Sequence, residues 1–349
     1  MNNNVRVAIY GAGAMGTVLG AFLTAGGLNV QLITRNEAHV AGLNAGARIV
    51  CEADGDEKTV QVQACTPAQM TGKYDVVFLM TKQRDNEKIL QFLLPFLHEN
   101  SVVCTTQNGL PERAVANTVG EERTFYGVAS FGANMRKAGE VALTSKREAM
   151  HLDIAPLKEE NKEKTQRLLD VLSYAGKAVG NANFATQTQN ALGARWSKLA
   201  INAAFSGLSV VTGLTFGEIA KKRCTKKIAL GILREALETA NASGITLEKM
   251  QGRDMQKWLG GKGFFKTGLA LALLPVAMKK HKKLTSGMLK DVLAGKKCEI
   301  DYICGVVVAT GKRVGVQTPL NEKVVEIVHG IENGLYEITV KNIDFFKGI

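Results

Sequence analysis

The chain has 349 residues, with 44 Lys and Arg against 32 Asp and Glu, for a formal charge of +12. That length accommodates two domains and a large core, and 46% hydrophobic with 22% charged residues excludes a disordered or fibrous chain. The longest apolar stretch, Gly268 to Met278, is broken by Pro275 and too short to cross a bilayer, and six scattered cysteines form no CxxC or zinc spacing, so neither a membrane anchor nor a metal centre is expected.

In chain order, Met1-Asn2-Asn3-Asn4 leads directly into an apolar run, Val5 to Tyr10, with no secretory signal, so a reducing cytoplasm is the expected compartment and the cysteines read as small core residues. The run ends at Gly11-Ala12-Gly13-Ala14-Met15-Gly16 and opens into a helical pattern from Thr17. Strand, glycine turn and helix in that order make a dinucleotide-binding loop. Gly11 permits the sharp turn, Gly13 lets the backbone approach a pyrophosphate, and Gly16 lets the helix pack close to the strand. The helix N-terminus then offers unpaired N–H groups to the phosphates. The next strand, Asn29 to Thr34, is followed by Arg35. An NAD site places an acid there for the ribose 2′-hydroxyl; a fixed cation suits a 2′-phosphate, so NADP(H) is the expected cofactor.

A helix is predicted from Glu37 to Ala45, then β-like pieces at Arg48–Glu52 and Thr59–Ala64. Tyr74 to Thr81 is a continuously apolar central strand ending at Lys82, where a cation reaches cofactor phosphate or ribose. A helix over Asn86–Leu97 precedes a strand at Ser101–Thr106, which terminates in Gln107-Asn108-Gly109. Asn-Gly alone means a turn; its place after a parallel strand makes Asn108 a candidate contact for nicotinamide or substrate. Further strands are expected at Thr124–Gly132, Glu140–Thr144 and His151–Ile154, then a helix over Glu160–Leu172 and a last short strand starting at Ala178-Val179.

Beyond Thr188 the strand signals nearly vanish. Leu192, Trp196, Leu199 and Ala203 recur at helical spacing as one apolar stripe, and Lys198 and Asn202 share a second face one turn apart. Mid-helix lysines are ordinarily solvated, but the neighbouring Ala200, Ile201, Ala203, Ala204 and Phe205 leave little room for water. Helices follow over Ile228–Ala242, Phe264–Met278 and Met288–Leu293, with Gln251–Gly263 of no clear type. Ile300, Ile303 and Val307 mark another helix with Glu299 at its start, where a carboxylate is favoured by the dipole alone. Pro319 and Asn321 open the last helix, ending near Asn333-Gly334, and the final residues read as a surface segment. Basic runs (Lys221-Lys222-Arg223, Lys226-Lys227, Lys279 to Lys283) read as solvated helix ends; no aromatic residues interleave them as a nucleic-acid surface would require.

The Gly11–Gly16 loop, Lys82, Gln107-Asn108-Gly109, Trp196-Ser197-Lys198-Leu199-Ala200-Ile201-Asn202, Met288-Leu289-Lys290-Asp291 and Cys298-Glu299-Ile300-Asp301-Tyr302-Ile303 together resemble the ketopantoate reductase (2-dehydropantoate 2-reductase) family, in order from about residue 5 to 334. The resemblance implies an α/β Rossmann-type domain followed by an all-α domain, with the active site in the cleft between them. It implies Lys198 and Glu299 as the catalytic pair, with Asn108 and Asn202 binding substrate. Members of the family carry a serine directly before the Met-Leu pair; here that position is Gly287, and Ser286 one residue upstream is the substrate-binding candidate. Ser206-Gly207 stands where relatives often read Asn-Pro.

These readings divide the chain into an NADP-binding domain over 1–186 and a helical substrate domain over 187–349. They imply NADPH-dependent reduction of 2-dehydropantoate to pantoate, a step toward pantothenate and coenzyme A, with Lys198 as general acid. The partners are then a small 2-keto acid, with no nucleic acid or membrane, and the arrangement is compatible with a homodimer. Two rivals remain: a D-2-hydroxyacid dehydrogenase of the same fold acting on another branched or aromatic keto acid, and a non-catalytic NADP(H)-binding regulator.

Overall fold

The computed structural model describes residues 5–158, 161–249, 254–261 and 263–349. The chain forms two compact units, one of residues 1–107 with 111–191 and one of 108–110 with 192–349.

In the first unit the elements run β1 (Val7–Tyr10), α1 (Ala14–Ala25), β2 (Val30–Ile33), α2 (Glu37–Asn44), β3 (Ala47–Cys51), β4 (Asp56–Val60), β5 (Gln63–Cys65), β6 (Tyr74–Leu79), α3 (Asn86–Leu93), β7 (Leu97–Thr105), α4 (Glu112–Val119), β8 (Thr124–Ala129), β9 (Ala133–Lys137), β10 (Glu140–Leu143), β11 (Leu152–Pro156), α5 (Lys162–Val179) and β12 (Ala185–Gln187). An eight-stranded sheet has the order β12-β11-β8-β7-β6-β1-β2-β5. It is parallel except where β11 meets β8. β1 and β6 are mostly apolar, and β7 is buried from Ser101 to Thr105, because both sheet faces are covered there; the first half of β7 carries His98, Glu99 and Asn100 toward solvent. The chain leaves β1 toward β2 and later returns to β1's other side as β6, so the strand order reverses at β1, where open α/β sheets bind ligands.

A second sheet, β4-β3-β10-β9, explains why α1 is apolar all round. Ile49, Cys51, Val141 and Leu143 of the small sheet and Ile9 and Leu32 of the large one bury opposite sides of α1 in one core. Several predicted extents change: the helix from Asn86 ends at Leu93, the strand expected from Ser101 starts at Leu97, and the helix expected from Ile228 starts at Arg223. The β-like piece at Thr59–Ala64 divides into β4 and β5, which belong to different sheets. No strand starts at Ala178: Leu168, Val171, Leu172, Ala175 and Val179 keep helical spacing and are buried, so α5 runs on to Val179, ends at left-handed Gly180 (φ 71°), and the strand is β12. Glu160, where the sequence starts this helix, lies outside the described residues.

The second unit is helical: α6 (Ala191–Asn202), α7 (Leu208–Thr212), α8 (Phe216–Lys221), α9 (Arg223–Ala242), α10 (Met255–Leu259), α11 (Phe264–Ala277), α12 (Gly287–Leu293), α13 (Ile300–Val314) and α14 (Pro319–Glu332). A π-helical turn, Ala203–Gly207, joins α6 to α7. Trp196, Leu199 and Ala203 enter the core as expected, but Leu192 is 38% exposed, since one stripe cannot hold the first turn of α6 against it. The tail is not a plain surface segment. Phe346 is buried, and Asn342 donates to the Val211 carbonyl at 2.9 Å. The basic run at Lys221-Lys222-Arg223 is exposed at the α8–α9 junction. Of the segment 251–263, residues 251–253 and 262 lie outside the described residues. Among the described residues, no helix is long and apolar enough to cross a membrane.

Candidate active site

The three glycines of the first loop have three different surroundings. Gly11 has φ +106°, and a Cβ there would lie 2.6 Å from the Thr81 nitrogen. A Cβ on Gly16 would lie 2.4 Å from the Gly11 carbonyl oxygen. At Gly13 a Cβ meets nothing within 4 Å, on an extended backbone any residue adopts (φ −77°, ψ −157°). Gly11 and Gly16 are thus required by packing, whereas Gly13 keeps an outside space clear. No side chain caps α1, and its first turn carries no acid. An open cradle at the N-terminus of an apolar twelve-residue helix, at the sheet's switch point, fits a pyrophosphate.

Arg35, just past β2, donates to Asp85 at 3.1 Å and is largely exposed. Lys82 follows β6 and is half-buried at the head of a 3-10 turn, Gln83–Asp85. Behind it lies a buried amide network that spacing alone did not reveal. Gln107 donates to Asn86 Oδ1 at 2.6 Å and to the Thr81 carbonyl at 2.8 Å, while accepting from Asn86 at 3.0 Å and Thr105 at 3.1 Å. This network fixes the carboxyl ends of β6 and β7 to one another. Asn108, next in the chain, is exposed and belongs to the second unit, where Leu110 packs into the helical core.

In the second unit α6 places Lys198 and Asn202 one turn apart, both half-buried. Arg195, Trp196, Ser197, Leu199 and Ala200 around Lys198 are all buried, and the Ser197 hydroxyl pins α6 to the Glu248 carbonyl at 2.7 Å. Loss of hydration pushes the Lys198 ammonium down to about 7, and the charge of Arg195 pushes the same way. The sequence shows Arg195 but gives no sign that it is buried beside Lys198.

Directly after Asn202 the helix widens into the π turn, a device common at functional sites. Gly207 ends it because α13 and α14 approach closely: a Cβ there would lie 2.8 Å from Val324 Cγ1 and 3.2 Å from Cys304 Sγ. That contact brings the start of α13 beside the turn. Glu299 is the N-cap residue of α13 and half-buried, and the preceding Cys298 donates its N–H to Glu332 at 2.7 Å, fixing the approach. Ser286 is 2% exposed, and its hydroxyl accepts from the Met288 N–H at 3.0 Å as the N-cap of α12. The structure therefore gives Ser286 a helix-capping role, while at Gly287 an added Cβ would meet nothing within 4 Å.

Comparison with known proteins agrees with this architecture. The family model described as "Ketopantoate reductase PanE/ApbA" matches residues 7–155, and its C-terminal counterpart matches residues 190–332. A 2-dehydropantoate 2-reductase of Archaeoglobus fulgidus is 23% identical over 95% of this chain and 99% of its own. Among solved structures, a D-mandelate dehydrogenase with NADH and anilino(oxo)acetate superposes with a TM-score of 0.79 at 22% identity, covering 95% of this chain and 99% of its own. A ketopantoate reductase from Ralstonia eutropha superposes at 0.77 and 24% identity, with the same coverage. The α/β unit with its glycine loop, the helical unit with Lys198, and the two family matches, which together cover most of the chain, make it a member of the ketopantoate reductase family.

Proposed function

We propose that the protein is a 2-keto acid reductase using a nicotinamide dinucleotide, with NADPH preferred and 2-dehydropantoate the first substrate to test. The observation that carries this reading is the placement of Lys198, half-buried on α6 among buried Arg195, Trp196, Leu199 and Ala200 and followed one turn later by Asn202; this loss of hydration pushes the lysine down to about 7. A bound dihydronicotinamide supplies a hydride, and reduction of a keto carbon leaves an alkoxide that needs a proton. At neutral pH Lys198 is divided between ammonium and amine, so it can give that proton in reduction and take it back in oxidation. Its positive form also favours developing negative charge on the oxygen. The amides of Asn202 and Asn108 hydrogen-bond the substrate, and Glu299 accepts from a substrate hydroxyl and orients the lysine. Gly11 to Gly16 hold the pyrophosphate, and Lys82 and Arg35 supply cations toward phosphate groups.

A second reading is favoured by Gly287, an exposed position with no side chain where the family resemblance expects a substrate-binding serine, so the substrate contact there differs and another 2-keto acid is to be tested. The D-mandelate dehydrogenase with the same fold was solved with an aromatic ligand. One experiment tests both readings: NADPH and NADH consumption followed by absorbance against ketopantoate, branched 2-keto acids and phenylglyoxylate. The proposal requires turnover with at least one of them; none with any would leave a dinucleotide-binding protein without this activity.

A further inference from the structure

His39 on α2 is 2% exposed, and the chemistry above does not use it. Gly139, in the turn between β9 and β10, donates its N–H to His39 Nδ1 at 3.0 Å. A backbone N–H can only donate, so Nδ1 carries a lone pair and the ring proton sits on Nε2. Nε2 faces the Thr17 hydroxyl at 3.2 Å, and that hydroxyl donates to the Ala12 carbonyl at 3.4 Å. Every bond in this chain therefore runs one way, from the small sheet through His39 and Thr17 to the residue between Gly11 and Gly13. The far end is rigidly seated. A Cβ on Gly42 of α2 would lie 2.7 Å from the Gly139 nitrogen, and one on Gly139 2.6 Å from Gly42, so the two backbones touch.

We propose that His39 is a positioning residue for the dinucleotide loop, holding the Ala12 carbonyl through Thr17 while its ring is neutral, so that acidification weakens cofactor binding. This rests on the reading of Gly11–Gly16 as the cofactor loop. A second ring proton would have to sit on Nδ1, directly against the Gly139 N–H, and two donors cannot share that contact. Burial pushes the His39 ring below its ordinary value, and the Ala12 carbonyl pulls only partly the other way. The ionisable groups on α2, on the strands packed against it and on the Gly139 turn are Glu37 on α2, Cys65 on β5, Arg48 and Cys51 on β3, and Lys137 and Glu140 flanking Gly139; α1 carries none. Arg48 is paired with Glu57 and Glu140, and none of these groups figures among the causes of the shift. The ring thus answers to its hydrogen bonds and its burial.

The test is calorimetric titration of the full-length protein with NAD+, which has no group ionising between about pH 8 and pH 5, whereas the 2′-phosphate of NADP+ ionises near pH 6. The Kd for NAD+ should rise about tenfold across that range in the wild type. His39→Gln, which keeps a donor toward Thr17 but no ionisable ring, should bind about 3–10-fold more weakly at pH 8 and show no pH dependence. Ring 15N shifts of the wild type need no variant: they should report the Nε2–H tautomer and a titration midpoint that NAD+ lowers further, by linkage. A flat wild-type profile, an equally steep profile in His39→Gln, or an Nδ1–H tautomer would each overturn the proposal. Failure of both NAD+ and NADP+ to bind at pH 8 is a distinct outcome, which overturns the dinucleotide reading and the proposal with it.

Discussion

Arg35 donates to Asp85 at 3.1 Å, tying the loop after β2 to the turn after β6. A cation thus stands where NAD-selective relatives of this fold place an acid. Yet its partner is a carboxylate, which a 2′-phosphate would have to displace or tolerate. Arg35→Ala should weaken NADPH about tenfold and NADH little, the loss of one charge-assisted hydrogen bond at an exposed position. Asp85→Asn should strengthen NADPH binding by releasing the guanidinium. Titration of all three proteins with both cofactors checks this, and equal losses for both in Arg35→Ala would remove Arg35 from cofactor selection.

The glycine loop makes a contrast between two substitutions. Gly13→Val adds a side chain in open space on an unstrained backbone, so stability should change by less than about 1 kcal/mol while cofactor binding is abolished. Gly16→Ala drives a Cβ onto the Gly11 carbonyl and should destabilise the fold by about 2–4 kcal/mol. Denaturant unfolding paired with NADPH titration separates the two effects.

At the π turn, Gly207→Ala places a methyl 2.8 Å from Val324 Cγ1 and 3.2 Å from Cys304 Sγ. Overpacking of this kind costs about 1–3 kcal/mol. Because the turn follows Asn202 and abuts the start of α13, the Km for keto acid should rise as well, with NADPH affinity unchanged. Chemical denaturation and steady-state kinetics on the same preparation measure both.

Lys198 sets a pH dependence whose sign can be worked out. Folded, its ammonium deprotonates at about 7; unfolded, a lysine does so near 10.4. Between these values the unfolded chain binds the extra proton, so this group makes the fold more stable as pH rises, and its unfavourable contribution is fully present below 7. Lys198→Met should remove that slope from denaturation midpoints measured between about pH 7 and pH 10. Catalytically, keto acid reduction should fall as pH rises through about 7, and oxidation of the hydroxy acid should rise over the same range.

Legibility in the sequence followed the range of the interactions involved. The glycine loop could be read because strand, turn and helix are contiguous and each glycine answers a local demand. The α/β and all-α division could be read because hydrophobic periodicity changes near Thr188. β9 could not: Ala133–Lys137 has no buried alternation and becomes a strand by pairing with β10. The extension of α5 to Val179 is not legible locally, because Ala178-Val179 reads equally as strand in a short window. Lys198 and Asn202 could be placed on one helix face, but the enclosure that tunes the lysine comes from Arg195 and the helical core, which spacing does not show. The Gln107–Asn86 network and the His39 chain join residues 21 and 100 positions apart, beyond the reach of any local pattern.

The measurement closest to the central claim is turnover of Lys198→Ala at saturating NADPH, with the best keto acid found for the wild type. NADPH affinity in the variant should match the wild type, because Lys198 lies on the helical unit and not on the glycine loop. Turnover should drop by about 10²–10⁴, the range for removal of one acid–base group. Near-normal turnover would contradict the account: Lys198 would then be a structural lysine, and the proton would have to come from another group.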